Sequence, residues 1–182
     1  MNSSRGRFNL ILILLFCASL GCNTTNSKKE KNESDKSKQA TLMRFHIETN
    51  PDPSGGGRTT QVSIGRSNLE RLTIQTEAVL DEGFIKKAEV VDADDLGSYA
   101  IKITFDDAGA RRLETISVED RGRRLAITAS WTENRWLGAP RLTKRITNGE
   151  FVFTPDATRE EADRIVNGLQ NVSKKVHETF TF

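Results

Sequence analysis

His46 and His177 are the only imidazoles in the 182 residues, which excludes a metal centre built from three histidines. His46 lies in an alternating run beside Arg44 and Glu48, with no second ligand at a useful spacing. Asp106 and Asp107 are adjacent carboxylates. A general acid/base pair needs its two groups in opposed environments, whereas neighbours at a helix start serve as cap and dipole partner. Asp92, Asp94 and Asp95 have the right type for a calcium ion, but the segment lacks a full calcium-loop pattern and reads as a solvated turn. No G-x-S-x-G frames a serine nucleophile. Gly55-Gly56-Gly57 lacks the Lys-Ser/Thr of a phosphate loop and reads as a loop tip. Arg111, Arg112, Arg121, Arg123 and Arg124 are of a type to grip phosphate or acidic peptide. Glu114, Glu119 and Asp120 lie among them, so the expected result is a self-neutralised surface. No catalytic residue, metal or cofactor is assigned, and the chain is expected not to be an enzyme.

The residues of a type to anchor a partner centre on two aromatics. Trp131 and Trp136 flank the polar stretch Thr132-Glu133-Asn134-Arg135 and are the two tryptophans of the protein. Tryptophan and arginine are enriched at binding hot spots. Trp131, Arg135, Trp136 and Leu137 are therefore the candidate contacts for a partner. The alternative is that one or both indoles fold back onto a sheet.

The two cysteines, Cys17 and Cys22, lie in the first 22 residues. Arg5 and Arg7 precede an apolar run from Phe8 to Leu20. That run spans roughly 20 Å as a helix at about 1.5 Å per residue, too short for a bilayer core of about 30 Å. It fits the apolar region of an export signal. Ser19-Leu20-Gly21-Cys22 resembles a bacterial lipoprotein lipobox, with Leu20 one place later than the usual pattern. The resemblance implies cleavage before Cys22 and lipidation of that cysteine, and places the mature chain in the cell envelope, facing the periplasm. Asn23, rather than aspartate, follows it, which leaves outer-membrane delivery open and preferred over the inner membrane. On that reading Cys17 leaves with the signal and Cys22 is acylated, which would exclude thiol catalysis and cysteine-ligated metals. The alternative is a signal peptide with a bystander cysteine.

Residues 22–40 read as the lipidated cysteine and a flexible, charged tether, with too little apolar surface to offset the entropy of ordering. The formal charge of +2 resolves by segment. The 27 basic residues include Arg5, Arg7 and five tether lysines, and the 25 acidic ones include three in the tether. From Thr41 onward 20 basic residues face 22 acidic ones, so the folded part is slightly acidic. Together with export, this argues against a nucleic-acid partner.

From Thr41 strand signals dominate. Leu42–Glu48 alternates with period two; Gln61–Ile64, Arg71–Ala78, Ala88–Val91, Tyr99–Phe105 and Arg124–Ala129 also read as extended. Asp94–Gly97 reads as a turn. Arg141–Ile146 and Glu150–Thr154 read as a hairpin around Thr147-Asn148-Gly149. A helix capped by Asp106 carries a short apolar stripe of Ala110, Leu113 and Ile116, interrupted by Ser117. The last helix has a Thr158/Glu161 capping box followed by Ala162, Ile165, Val166 and Leu169. The expected class is α+β: a largely antiparallel sheet with two main helices packed on one face. The domain is expected to span 41–171, with a tail from 172 to 182.

Five segments in this domain resemble the head part of the first periplasmic region of the SecD/SecDF protein-export subunit. They are Val79–Val90, Ile103–Ala110, Gly122–Ile127, Ala139-Pro140 with Ile146–Gly149, and Phe153-Thr154 with Thr158–Leu169. They occur in the family's order and cover about residues 76–170; 41–75 match poorly. The hairpin that holds both tryptophans is longer than the family's usual form. The resemblance carries over a fold rather than a catalytic site, since the roles its residues suggest, such as Gly109 for close packing in the first turn of a helix, Pro140 at a strand edge and Asn148-Gly149 in a turn, are structural. It implies a non-catalytic module that binds polypeptide or a protein partner, with a link to protein export. The other reading is an accessory subunit of an envelope membrane complex that never touches substrate.

Overall fold

Alternation between apolar and polar residues sets the strands, and their pairing is antiparallel throughout. The computed structural model describes residues 39–66, 69–93 and 98–179. These lie within one unit, Asp35–Phe182. In chain order the elements are β1 (Leu42–Ile47), β2 (Thr59–Ile64), β3 (Glu70–Gln75), β4 (Leu80–Asp81), a single 3-10 turn (Glu82–Phe84), β5 (Ile85–Asp92) and β6 (Tyr99–Phe105). There follow α1 (Asp107–Glu119), β7 (Leu125–Ser130), β8 (Asn134–Gly138), β9 (Glu150–Phe153) and α2 (Arg159–Thr179). The strands form a four-stranded sheet in the order β4-β1-β7-β8, a three-stranded sheet β5-β6-β9 and the β2-β3 hairpin. This is the α+β class expected from the sequence.

One face of each larger sheet enters a shared core. Met43, Phe45 and Ile47 of β1 meet Leu125 and Ile127 of β7, Ile101 and Ile103 of β6, and Phe151 and Phe153 of β9. Phe45 is central: its ring stands edge-on to Phe105 at 5.6 Å and to Phe151 at 6.3 Å, the geometry aromatic quadrupoles favour. Both helices close this core, α1 through Leu113 and Ile116 and α2 through Ala162, Ile165, Val166 and Leu169. The opposite face of β5-β6-β9 is polar, with Lys102 ion-paired to Glu150 at 2.8 Å and to Glu89 at 3.8 Å.

Asp106 caps α1 through Oδ1, which accepts the Gly109 N–H at 2.7 Å. Gly109 is required by packing: a Cβ there would lie 2.8 Å from Phe84 Cβ and 3.0 Å from Phe105 Cβ. The buried face of α1 includes Ser117, which is fully buried. Its Oγ donates to Glu114 O at 2.8 Å and accepts the Ile146 N–H at 2.9 Å. The break in the apolar stripe is thus a hydrogen-bonding post for the chain that crosses α1.

That chain corrects the expected hairpin. Residues 141–146 form no strand; only Arg141 makes a bridge, to Arg124. The segment follows α1 instead, held through Ser117, through Arg121 Nε donating to Thr143 O at 3.2 Å, and through Arg145 paired with Glu114. Gly149, at φ +66°, packs where a Cβ would lie 2.8 Å from Ala110 Cβ, and it leads into β9 rather than closing a hairpin. The last helix also runs past Asn171 to Thr179. Ser173 continues its buried face, donating to Lys86 O of β5 at 3.0 Å. The expected turn at Asp94–Gly97 lies outside the described residues.

The β2-β3 hairpin covers part of the outer face of the four-stranded sheet. Ile64, Leu72 and Ile74 bury Ala126 of β7 and pack with Trp136 and Ala139. A bridge between Glu48 and Ile74 and a hydrogen bond from Thr49 N–H to Thr73 O at 2.9 Å join it to the end of β1.

Candidate functional site

The β7-β8 hairpin decides where the aromatic candidates go. Ser130 pairs with Asn134, Ala129 with Arg135 and Thr128 with Trp136; Ile127 then pairs with Gly138, leaving Leu137 as the extra residue of a bulge. Successive side chains on a strand point to opposite faces. Trp136 therefore stands on the outer face and Arg135 on the core side.

Leu137 is fully buried in the main core, so it is not available to a partner. Arg135 also turns inward: Nη2 donates to Asp156 O at 2.9 Å and lies 3.4 Å from Glu161 Oε2. Its guanidinium sits 5.4 Å from the Trp131 ring centre, within cation–π range. Glu161 is in turn the capping-box acid of α2, accepting the Thr158 N–H at 2.7 Å, and it pairs with Arg66 at 2.5 Å. These hydrogen bonds hold the Glu161 carboxyl below the usual range, that from the Thr158 backbone foremost. Arg135 is a brace between the hairpin and α2. Trp131 is half-buried against the main core, and Trp136 packs against the smaller cluster under β2-β3. The indoles lie on opposite faces and form no common surface.

Trp136 does line an open surface. The outer face of the four-stranded sheet carries a groove of about 380 Å³ bounded by Leu42, Arg44, His46, Thr128, Ser130, Asn134 and Trp136. The register lays these out in rows across three strands: Leu42, Ser130 and Asn134 in one, Arg44, Thr128 and Trp136 in the next. His46 and Ala126 form the third row, under the β2-β3 hairpin. His46 is 8% exposed. Its Nδ1–H donates to Gln75 O at 3.0 Å, and its ring stands 5.5 Å from that of Trp136 at 67°. Burial pushes the imidazole below its ordinary value; the Gln75 carbonyl opposes this and the positive Arg44 adds to it. At neutral pH the ring is uncharged.

The remaining sequence candidates are structural. Asp106 is a cap, and Asp107 stands exposed in the first turn of α1. Asp92 pairs with Arg159 at 3.0 Å; Asp94 and Asp95 lie outside the described residues. The arginine group is largely matched: Arg123 pairs with Asp120 at 3.2 Å, Arg124 with Glu70, and Arg112 lies 5.8 Å over the Phe84 ring. In the loop at 51–57, Asp52 Oδ1 accepts Ser54 N–H at 2.9 Å and Oγ–H at 2.6 Å, which holds its carboxyl below the usual range. Among the described residues no three His, Cys, Asp or Glu come together to hold a metal. Cys22 lies outside the described residues. Sequence reasoning missed Leu42, Arg44, Thr128, Ser130 and Asn134. The signal was present in β1, where Leu42, Arg44 and His46 alternate with Met43, Phe45 and Ile47. Their neighbours depend on which strands pair.

Comparison with known proteins matches this geometry to one family. The family model of the SecDF P1 head subdomain matches residues 59–173. The match begins ahead of residue 76, where the sequence motifs start, and takes in β2 and β3. The chain is 30% identical over 117 residues to the protein translocase subunit SecDF of Thermus thermophilus, covering 62% of this chain and 15% of that protein. It is 30% identical over 89 residues to the protein translocase subunit SecD of Calditerrivibrio nitroreducens, covering 49% and 17%. The chain thus spans less than a fifth of the length of either relative. Two solved SecDF structures share the fold at a TM-score of 0.53 and cover 79% of this chain. One, of a membrane component that enhances protein export, is 22% identical and covered over 69% of its chain; the other, a super-membrane-facing form, is 21% identical and covered over 21%. With well over half its length matched, the chain belongs to the SecDF P1 head subdomain family.

Proposed function

We propose that this chain is a non-enzymatic lipoprotein of the bacterial envelope whose P1-head module binds polypeptide or a protein partner in connection with protein export. The observation that carries the reading is the family match over 59–173. The solved relative with this fold belongs to a membrane component that enhances protein export. The open groove beside Trp136 supplies a surface of suitable kind, with apolar and hydrogen-bonding groups side by side. Among the described residues no helix is long and apolar enough to cross a membrane, and the proposed link to the bilayer is acylated Cys22. Two or three acyl chains at about 0.8 kcal/mol per buried methylene anchor a protein stably, where one does not.

The test is capture by the full chain of a reduced, alkylated unfolded protein compared with capture of a purified envelope translocase. Retention of the unfolded protein supports a polypeptide-binding module. Retention of the translocase alone favours an accessory subunit that does not contact substrate. Retention of neither refutes the binding role.

A further inference from the structure

The outer face of the four-stranded sheet is half covered. The β2-β3 hairpin closes over His46 and Ala126, and the rows holding Leu42 and Arg44 stay open. Leu42 is 43% exposed, a large apolar side chain on a sheet face. The Arg44 guanidinium beside it makes no hydrogen bond or ion pair among the described residues, unlike Arg123 and Arg124, which are matched to carboxylates. The Trp136 indole N–H is also without an acceptor among the described residues. No carboxylate lines the groove. Its one lining charge, Arg44, is positive; Asp81 of β4 is its register partner at the end of the row but forms no ion pair with it among the described residues.

We propose that this groove is the docking surface of the module and takes an extended polypeptide segment that presents an acidic side chain next to an apolar one. The inference rests on the polypeptide-binding reading above and names its site and its preference. Charge complementarity selects the occupant. A carboxylate reaching Arg44 pairs with an otherwise unmatched guanidinium, and a planar fork accepts it in two parallel hydrogen bonds. Neighbouring side chains of the same segment cover Leu42 on β1 and, two strands across the row, the indole of Trp136, whose N–H offers one further donor. Thr128, Ser130 and Asn134 supply hydroxyl and amide groups for the backbone of the guest. A chain suits the surface better than a compact ligand. Small-molecule sites enclose most of their ligand, whereas this groove extends over side chains of three strands on a sheet face.

The experiment uses the full chain and three probes: a Gly/Ser-flanked peptide carrying Asp-Leu-Asp, its Lys-Leu-Lys counterpart, and reduced, alkylated ovalbumin. Binding is followed by fluorescence anisotropy, with the indole N–H signals of Trp131 and Trp136 recorded by NMR. The wild type is expected to bind the acidic peptide about tenfold more tightly than the basic one, as a charge-assisted contact implies. The shift is expected at Trp136 and not Trp131. Arg44→Glu is expected to reverse the preference; it sets a second carboxylate opposite Asp81 of β4, so Arg44→Gln, which removes the charge without that repulsion, is expected to abolish the preference with the denaturation midpoint unchanged. Failure to bind the acidic peptide, equal affinity for the two peptides, or indifference to Arg44→Glu overturns the groove. Retained binding of unfolded ovalbumin then leaves the polypeptide-binding reading standing, and its loss removes both.

Discussion

Trp136 and Leu137 are neighbours in the chain, yet one lines an open groove and the other is fully buried. Leu137→Ala is therefore expected to cost about 2–5 kcal/mol, the usual range for emptying a packed core site. Truncation of exposed Arg44 to alanine should stay within about 0.5 kcal/mol. Urea denaturation of the two variants checks both. His46 makes a second residue-scale prediction. Burial lowers its folded pKa below the unfolded value of about 6.5. The fold thus favours the neutral ring, and the unfolded chain takes up the proton first as pH falls. The stability held by neutral His46 is complete above about pH 6.5 and is lost as pH falls through the folded pKa. The denaturation midpoint should drop as pH falls below about 6.5, and His46→Gln should remove that part of the dependence. Glu161 has a lowered pKa as well, so its contribution persists above the unfolded carboxylate value and fades only at lower pH, as the carboxyl protonates. The two windows are separable.

At the scale of elements, the stripe on α1 looked weak because a hydroxyl interrupts it. In the fold that hydroxyl fixes the segment from Arg141 to Gly149 through the Ile146 N–H. Ser117→Ala is expected to leave that buried donor unpaired and to cost about 1–3 kcal/mol. Hydrogen exchange should accelerate at Ile146 while the amides of β7 stay protected. Gly109→Ala is expected to cost about 1–3 kcal/mol, because α1 has to retreat from Phe84 and Phe105 to admit the methyl group. Calorimetric melting provides the measurement. The edge strand β5 has its own protection. Gln170 Nε2 donates to Ala88 O at 2.7 Å and Ser173 Oγ to Lys86 O, so α2 occupies carbonyls that would otherwise invite a further strand.

For the whole molecule, the proposed lipid anchor predicts that Cys22→Ser moves the protein from the membrane fraction to the soluble one and removes acyl mass from the intact chain. Local chemistry alone made several features legible in the sequence. Period-two alternation marked β1, the run Tyr99–Phe105 marked β6, and the Asp106 cap and the Thr158/Glu161 box marked both helix starts. These depend on a few adjacent residues, so no knowledge of partners was needed. The α+β class followed because strands and amphipathic helices must share a buried face. The division into three sheets, the replacement of the expected strand at 141–146 by a segment bound to α1, and the opposed placement of Trp131 and Trp136 did not follow. Each is set by which strands pair and in what register, and a shift of one residue moves every side chain to the other face. The sequence by itself thus determined both helix starts, most of the longer strands and the family, and it carries no cysteine from Thr41 onward. Only the tertiary structure turned Arg135 and Leu137 inward and set Arg44, from β1, in one row with Trp136, from β8, across Thr128 of β7. Long-range pairing across β7 makes that neighbourhood, and no local signal encodes it.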